Sequence, residues 1–334
     1  MRNVRGFRRQ SKDPIRPPTS PLTIAPALSH DLTARLIDLR QRVEYGGLRL
    51  LAAVIRALPL EVAANVSGKL WRLFAPFNRR HRRALANLAI AFPEKSPRER
   101  AAIARAMWEN LGRVMAETMQ IDRIIAEPDR IQLLPSAERV FARYRDKMGS
   151  AIGVTLHMGN WELAAWPLTV AGNNPAAVYR SVNNPYVDRY LRGLRRDLYP
   201  GGLLGKGRIN GSREEGQKTA RLITDFVRKG GRLGLVCDLY DRTGIPVPFF
   251  GKPAPSVAIA GMIARRVGAR IWLSRCLRLG KDSRFTIEFK ELKVPRTANA
   301  AEDVKWVTAA MQRQFEAWIR EAPEQWMWSN RRWS

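Results

Sequence analysis

The sequence predicts an α/β fold: a mostly parallel or mixed sheet flanked by helices, preceded by an N-terminal helical region. Three observations predict it. From Ala151 onward, short apolar β-branched runs alternate with stretches of helical periodicity, the grammar of a layered α/β core. Before Ala151 the periodicity is helical alone. The chain has 334 residues, 45% of them hydrophobic, enough to bury one large core with a helical appendage. The expected organisation is a basic disordered arm over 1–30, a helical membrane-interface region over 31–130, and an α/β core over 131–334.

The elements follow in order. Arg2, Arg5, Arg8, Arg9, Lys12 and Arg16 stand against Asp13 among several prolines; this arm has no apolar stretch of the secretory type. Thr33–Ala57 carries two stripes at helical spacing, one with Arg35, Asp38, Arg42, Arg49 and Arg56, the other with Leu36, Leu39, Val43, Leu50 and Val54. The pattern fits a helix lying in a membrane interface, and equally an amphipathic helix packed on the domain. Pro59 ends it, and a second helix runs to Phe74. Leu48–Val66 does not read as a membrane span, because Arg49, Arg56, Pro59 and Glu61 interrupt it. Arg79-Arg80-His81-Arg82-Arg83 opens a helix ending near Phe92-Pro93, a solvated basic turn. Ser96-Pro97-Arg98-Glu99 is a capping box that starts a helix to about Ile125.

In the core, strands are expected at Ala151–Leu156, Ala176–Tyr179, Arg232–Cys237, Ile245–Phe249, Arg270–Leu277 and Arg284–Leu292. Helices are expected at Trp161–Ala171, Pro185–Leu198, Arg213–Lys229, Ser256–Val267 and Ala301–Glu321. Sites in such folds lie at the carboxyl ends of the strands. His157, Arg180 and Asp238 each stand at one of these ends.

His157 and Glu162 are the main site candidates. Histidine accepts a proton near neutral pH, and a carboxylate on its far ring nitrogen would fix the tautomer and stabilise the imidazolium. Five residues advance a regular helix by about 500°, so the pair closes only if His157 precedes the helix and Glu162 lies inside it. Gly159 and Asn160 supply the turn and an N-cap. The bland alternative is a structural histidine at a strand end. Arg180, after the second core strand, and the helix carrying Arg189, Arg192, Arg195 and Arg196 suit a phosphate or an oxyanion; Arg192 and Arg196 read as a solvated face. Lys206-Gly207-Arg208 is a weaker basic turn. The rigid run Ile245–Ala254 contains Phe249 and Phe250 and suits the wall of an acyl channel, or a buried hairpin.

Composition restricts the partners. Cys237 and Cys276 lie in strand-like runs and read as buried reduced thiols. No zinc-ligand spacing exists. The net charge of +28 attracts nucleic acid, anionic lipid or an acidic protein. No nucleic-acid module is present, and ten tryptophans favour a boundary between water and an apolar phase.

Several separated blocks together resemble the bacterial lipid A late acyltransferases of the lauroyl/myristoyl type. They are His157-Met158-Gly159-Asn160-Trp161-Glu162, the family's H-x4-E box; Tyr179-Arg180-Ser181-Val182-Asn183-Asn184-Pro185; Asp238 with Val247–Ala254; and Pro323-Glu324-Gln325-Trp326-Met327-Trp328-Ser329-Asn330-Arg331-Arg332-Trp333. Ala91-Phe92-Pro93-Glu94 also fits, and the likeness runs from about Thr33 to Trp333. Asp238-Leu239 and Asn330 depart from the usual Asp-Gln and histidine, which leaves the acceptor open.

The resemblance implies a glycerol-3-phosphate acyltransferase-like fold. It also implies transfer of a fatty acyl group from acyl carrier protein to a hydroxyl of a lipid A precursor, at the cytoplasmic face of the inner membrane. His157 would be the base, held by Glu162; Arg180, Asn160, Arg189 and Asp238 are oxyanion or phosphate candidates; Trp161, Phe249 and Phe250 are acyl-channel candidates. No metal or cofactor is expected. The expected partners are an acidic acyl carrier protein, an anionic lipid acceptor and a membrane surface met peripherally or monotopically, with no specific nucleic acid. The alternatives are another glycolipid or lysophospholipid acceptor, acyl-CoA as donor, or a non-catalytic anionic lipid- or nucleic-acid-binding protein.

Overall fold

Apolar periodicity and capping lay out the helical half of the chain, seen in a computed structural model that describes residues 25–144, 149–205 and 213–333. The expected arm lies outside these residues up to 24, as does Lys206-Gly207-Arg208. The helices are α1 (Ala25–Ala57), α2 (Leu60–Phe74), α3 (Arg79–Ala91), α4 (Pro97–Thr118) and α5 (Ile121–Ile125). Pro59 separates α1 from α2, Asn78 caps α3 by accepting from the Arg80 N–H, and Ser96 with Glu99 forms the complete capping box of α4. The chain divides into two units inside α1, residues 1–43 and 44–334. In the first, Arg42 pairs with Asp38 one turn back at 2.8 Å.

Within the second unit follow β1 (Ile131–Leu133), α6 (Pro135–Tyr144), β2 (Ala151–Thr155), a 3-10 turn (Trp161–Ala165), α7 (Trp166–Val170), β3 (Ala176–Tyr179), α8 (Pro185–Leu194), β4 (Gly202–Gly205) and α9 (Arg213–Arg228). Then come β5 (Arg232–Val236), β6 (Tyr240–Phe249), β7 (Lys252–Ser256), α10 (Ile259–Val267), β8 (Arg270–Arg278), β9 (Phe285–Leu292) and α11 (Ala300–Glu321). Among the described residues seven strands form one sheet in the order β1-β9-β8-β2-β5-β3-β4, parallel except at the β8–β9 pair. The mostly parallel sheet flanked by helices is therefore present.

Side chains alternate across a strand, and β2 and β5 use this to divide two environments. Ile152, Val154, Leu233 and Leu235 join Ile223, Val227, Ile263, Met311 and Phe315 in the main core. Ala151, Gly153, Thr155, Arg232, Gly234 and Val236 face the other way, into a cavity.

Three elements differ from the expected ones near the site. The strand β7 has two prolines in five residues and carries no strand signal; it pairs only with β6, in a separate two-stranded ribbon. It displaces the start of α10 to Ile259. The segment after Asn160 starts as a 3-10 turn rather than an α-helix, and α8 stops at Leu194. Both changes re-aim side chains in the site. The β6–β7 turn has positive φ at Phe250 (48°) and Gly251 (70°), as a tight two-residue hairpin requires.

A buried ionic cluster joins α4 to the sheet. Glu117 accepts from both terminal guanidinium nitrogens of Arg278, from Ser283 Oγ at 2.8 Å and from Asn160 Nδ2 at 2.9 Å. The charge is thus fully paired, which is what makes its burial tolerable.

Candidate active site

Register alone brings the first two site residues together. Thr155 on β2 pairs with Val236 on the parallel neighbour β5, so two residues beyond each strand end His157 stands beside Asp238. The carboxylate accepts twice from the histidine: Oδ1 lies 2.8 Å from ring Nδ1, and Oδ2 takes the His157 backbone N–H at 2.9 Å. Oδ2 also accepts from the Trp326 indole N–H at 2.8 Å. A buried carboxylate with no proton of its own must face a donor, so Nδ1 carries the hydrogen and Nε2 is the proton-accepting atom. Among the described residues Nε2 makes no hydrogen bond.

Burial lowers the His157 pKa, but the charge and hydrogen bond of Asp238, with the charge of Glu162, outweigh it and hold the ring above its ordinary value. Burial raises Asp238, and the charge and hydrogen bonds of His157 with that of Trp326 reverse this and hold it below the carboxylate range. The pair is therefore poised to carry an imidazolium.

Glu162 is placed differently from the expectation. It does not hold the far ring nitrogen of His157; Asp238 does. The 3-10 turn aims Glu162 at α8, where Arg195 grips it with Nε to Oε2 and Nη2 to Oε1, both at 2.6 Å. Burial raises the Glu162 pKa, and Arg195 reverses the shift; the His157 charge adds to this. Glu162 thus acts on His157 through charge rather than through contact.

Gly159 makes this turn possible. Its φ is 57°, and an added Cβ would lie 1.8 Å from the Cys276 carbonyl oxygen, so no other residue fits without moving β8.

The remaining expected residues separate into those near the cavity and those away from it. Trp161 meets the His157 ring edge-on at 5.1 Å between centroids. With Glu162, Arg180, Arg195, Tyr179 and Tyr199 it lines an apolar cavity of about 200 Å³ that runs along β2 to Ala151 and Trp272. Asn160 corrects the sequence expectation: its side chain is fully buried against Glu117 and away from the cavity. Asp238 corrects it too, since an anion held by His157 is no phosphate ligand. Arg189 is exposed on α8 and does not line the cavity. Phe249 and Phe250 are core residues packed edge-on or tilted against Trp326, Trp328 and Trp333, and neither lines the cavity. The Cys276 thiol is pushed up to about 12 by burial, which makes it a poor nucleophile.

Two participants escaped the sequence. Arg195 was one arginine among four on a basic helix, and only the Glu162 contact singles it out. Trp326 lay in a block with no assigned role, and its donor function depends on a fold contact 88 residues away in sequence.

A histidine held by a buried carboxylate at the carboxyl ends of two central parallel strands, its ring against a tryptophan in the wall of an apolar cavity, is suited to acid–base chemistry next to an apolar group. Comparison with known proteins gives the family. Residues 39–334 match the model of the bacterial lipid A biosynthesis acyltransferases, so the chain belongs to that family and is an acyltransferase of lipid A biosynthesis. It is 26% identical to the lipid A biosynthesis myristoyltransferase of Escherichia coli (strain K12), over 74% of this chain and 73% of that protein. It is also 26% identical to lipid A biosynthesis acyltransferase 1 of Shigella flexneri, again over 74% and 73%.

Proposed function

We propose that the protein transfers a fatty acyl chain from an acyl carrier protein thioester to a hydroxyl of a lipid A precursor at the cytoplasmic face of the inner membrane. The observation that carries this reading is the His157–Asp238 pair, whose ring meets Trp161 in the wall of the apolar cavity. The acceptor hydroxyl gives its proton to His157 Nε2 as its oxygen bonds to the thioester carbon. The tetrahedral oxyanion needs donors; Arg180 at the cavity rim and backbone N–H groups of the turn are nearest in kind. Collapse breaks the carbon–sulfur bond, and the imidazolium returns its proton to the departing thiolate. Asp238 holds the ring tautomer through both transfers. Arg195 fixes Glu162 in the cavity wall, and the Glu162 carboxylate favours the imidazolium.

The test is transfer by membranes carrying the protein. Labelled acyl carrier protein thioester and acyl-CoA are offered separately with lipid A precursor, and products are read by mass spectrometry. Transfer from the carrier thioester that stops in His157→Ala supports the reading. Transfer only to another lipid overturns the acceptor, and transfer only from acyl-CoA overturns the donor. An active His157→Ala overturns the mechanism.

The cavity makes a second outcome measurable. From Ala151 to Thr155 strand β2 spans about 13 Å, and the small residues Gly153, Gly234 and Ala177 keep the space beside it open. A Cβ at Gly153 meets only a backbone oxygen at 3.9 Å, so a side chain there enters the cavity. Gly153→Val should shift preference to a donor at least two carbons shorter, with competing thioesters as the assay. An unchanged preference would place the acyl chain elsewhere.

Membrane attachment rests on the inverted packing of α2. Its small residues Ala63, Ala64, Ser67 and Gly68 face inward, close against α4 at Gly112, while Val62, Val66, Leu70, Leu73 and Phe74 face outward, and Phe77 beyond it is 86% exposed. Lys69, Arg72, Arg79, Arg80 and Arg82 surround them in sequence and are exposed. No described helix is long and apolar enough to cross a membrane, so the apolar face would lie in the interface with basic groups at lipid phosphates. Each buried Phe or Leu contributes about 1.5–3 kcal/mol. Flotation with anionic vesicles should therefore weaken at least tenfold in the Leu70→Glu/Phe74→Glu/Phe77→Glu variant. Equal flotation of parent and variant would discount this face.

A further inference from the structure

The segment after α11 is threaded through the site rather than laid on its surface. The Gly159 N–H donates to the Gln325 carbonyl at 3.0 Å, and the Met327 N–H donates to the His157 carbonyl at 3.0 Å. Between them Met158 and Trp326 form an antiparallel bridge. The segment is anchored on both sides: Asn87 Nδ2 donates to the carbonyls of Trp328 and Asn330 at 2.8 and 2.9 Å, and Arg332 Nη2 donates to Gln312 Oε1 at 2.9 Å. Trp326, Trp328, Ser329 and Arg332 are all buried. Such an anchored backbone fixes the indole of Trp326, whose N–H reaches Asp238 Oδ2 at 2.8 Å.

We propose that Trp326 is a positioning residue for the reaction at His157, its indole N–H clamping the Asp238 carboxylate so that Oδ1 stays on Nδ1. The inference rests on the reading of His157 as the base. Asp238 has two oxygens and two jobs. Oδ2 takes two N–H donors, from the His157 backbone and from Trp326, and Oδ1 is left for the ring. With one clamp removed the carboxylate gains torsional freedom about its terminal bond, and the ring loses its fixed direction. The same loss concentrates negative charge on a carboxylate with fewer donors, making it a stronger acceptor for the imidazolium. Two effects follow together: slower turnover, and a rise in the pH at which the base loses its proton.

The charged groups facing His157 are Asp238 beyond β5 and Glu162 in the 3-10 turn, itself held by Arg195. Arg332 acts from the other side on Asp238, and burial lowers its own pKa to about 10 while Asp238 opposes this. Of these, only Asp238 is touched directly by a change confined to the indole nitrogen.

The experiment replaces Trp326 by 3-benzothienylalanine, which keeps the two-ring shape and removes only the N–H. Trp326→Phe is a second variant, with thermal unfolding as the control for folding. Acyl transfer from carrier thioester is followed across pH in parent, both variants and His157→Ala. The benzothienyl protein should melt near the parent, with kcat lower by about tenfold or more, the effect of one hydrogen bond to a charged group. Its KM should stay within about twofold of the parent, and the acidic limb of its rate profile should move to higher pH. A purely structural role predicts lower melting with an unmoved acidic limb, and that result overturns the proposal. If His157→Ala is inactive while the benzothienyl protein matches the parent in kcat and pH profile, the clamp is wrong and the base stands. If His157→Ala is as active as the parent, the reading of the base falls first, and the clamp falls with it.

Discussion

Asp238→Asn should lose acyl transfer by about 10²- to 10⁴-fold, the range expected when a general base loses the carboxylate that sets its tautomer. The amide presents no charge to Nδ1 and can turn its NH₂ toward the ring, driving the hydrogen onto Nε2, where the base must be free. The pH profile separates this from simple misfolding. In the parent, the raised His157 pKa puts the acidic limb above the ordinary 6.5: activity is lost as pH falls through the raised value. In Asp238→Asn the main raising cause is gone while burial remains, so the residual activity should persist to lower pH than in the parent. Glu162→Gln removes a smaller raising influence and leaves Nδ1 held, so its loss should be smaller. Steady-state rates across pH for the three proteins check the order. A Glu162→Gln loss larger than that of Asp238→Asn would make the arginine-bound glutamate, not the aspartate, the partner that matters.

Arg278→Met should be the most destabilising of these changes. Glu117 is fully enclosed, and Arg278 supplies its only cationic partner among the described residues. Removing one member of a buried pair typically costs about 3–5 kcal/mol because the other charge is left uncompensated. At about 2–4 °C per kcal/mol for a domain somewhat smaller than this chain, that is a fall in Tm of about 6–20 °C by calorimetry. Pairing it with Glu117→Met should restore much of the loss, since neutral side chains of similar volume leave no charge to bury. The position carries a functional consequence. Glu117 also holds Asn160 Nδ2, so the single variant should loosen the turn between His157 and Glu162, and activity should fall before the protein unfolds. Equal melting of parent and Arg278→Met would mean that water reaches the cluster.

Much of the fold was legible because local chemistry and tertiary packing agree. The capping box at Ser96, the break at Pro59, and the runs that became β2, β5 and β8 all carry a signal within ten residues of themselves. The strands β1, β4 and β7 carry little: β1 has three residues, β4 is Gly202-Leu203-Leu204-Gly205, and β7 is proline-rich. Their strand character comes from neighbours that present hydrogen-bonding edges, which a local pattern does not contain. Phe249 and Phe250 show the opposite failure. Their apolar character was plain, but an apolar residue says only that it avoids water. Whether it meets a ligand or the core depends on which side of the hairpin the main sheet lies.

The site shows where the division falls. The sequence by itself determined that His157 stands at a strand end, that a glycine turn follows, and that Glu162 lies one short turn onward. Those statements rest on covalent spacing and backbone preference, which are local. Which carboxylate touches the imidazole was decided by the tertiary structure alone. Parallel pairing of β2 with β5 carries Asp238, 81 residues away, to 2.8 Å from Nδ1, while the tight 3-10 turn swings Glu162 to Arg195 at the end of α8. Sheet register and the packing of α8 are long-range outcomes of burying two faces of one sheet. Short-range spacing therefore places the reactive group, and strand order chooses its partner.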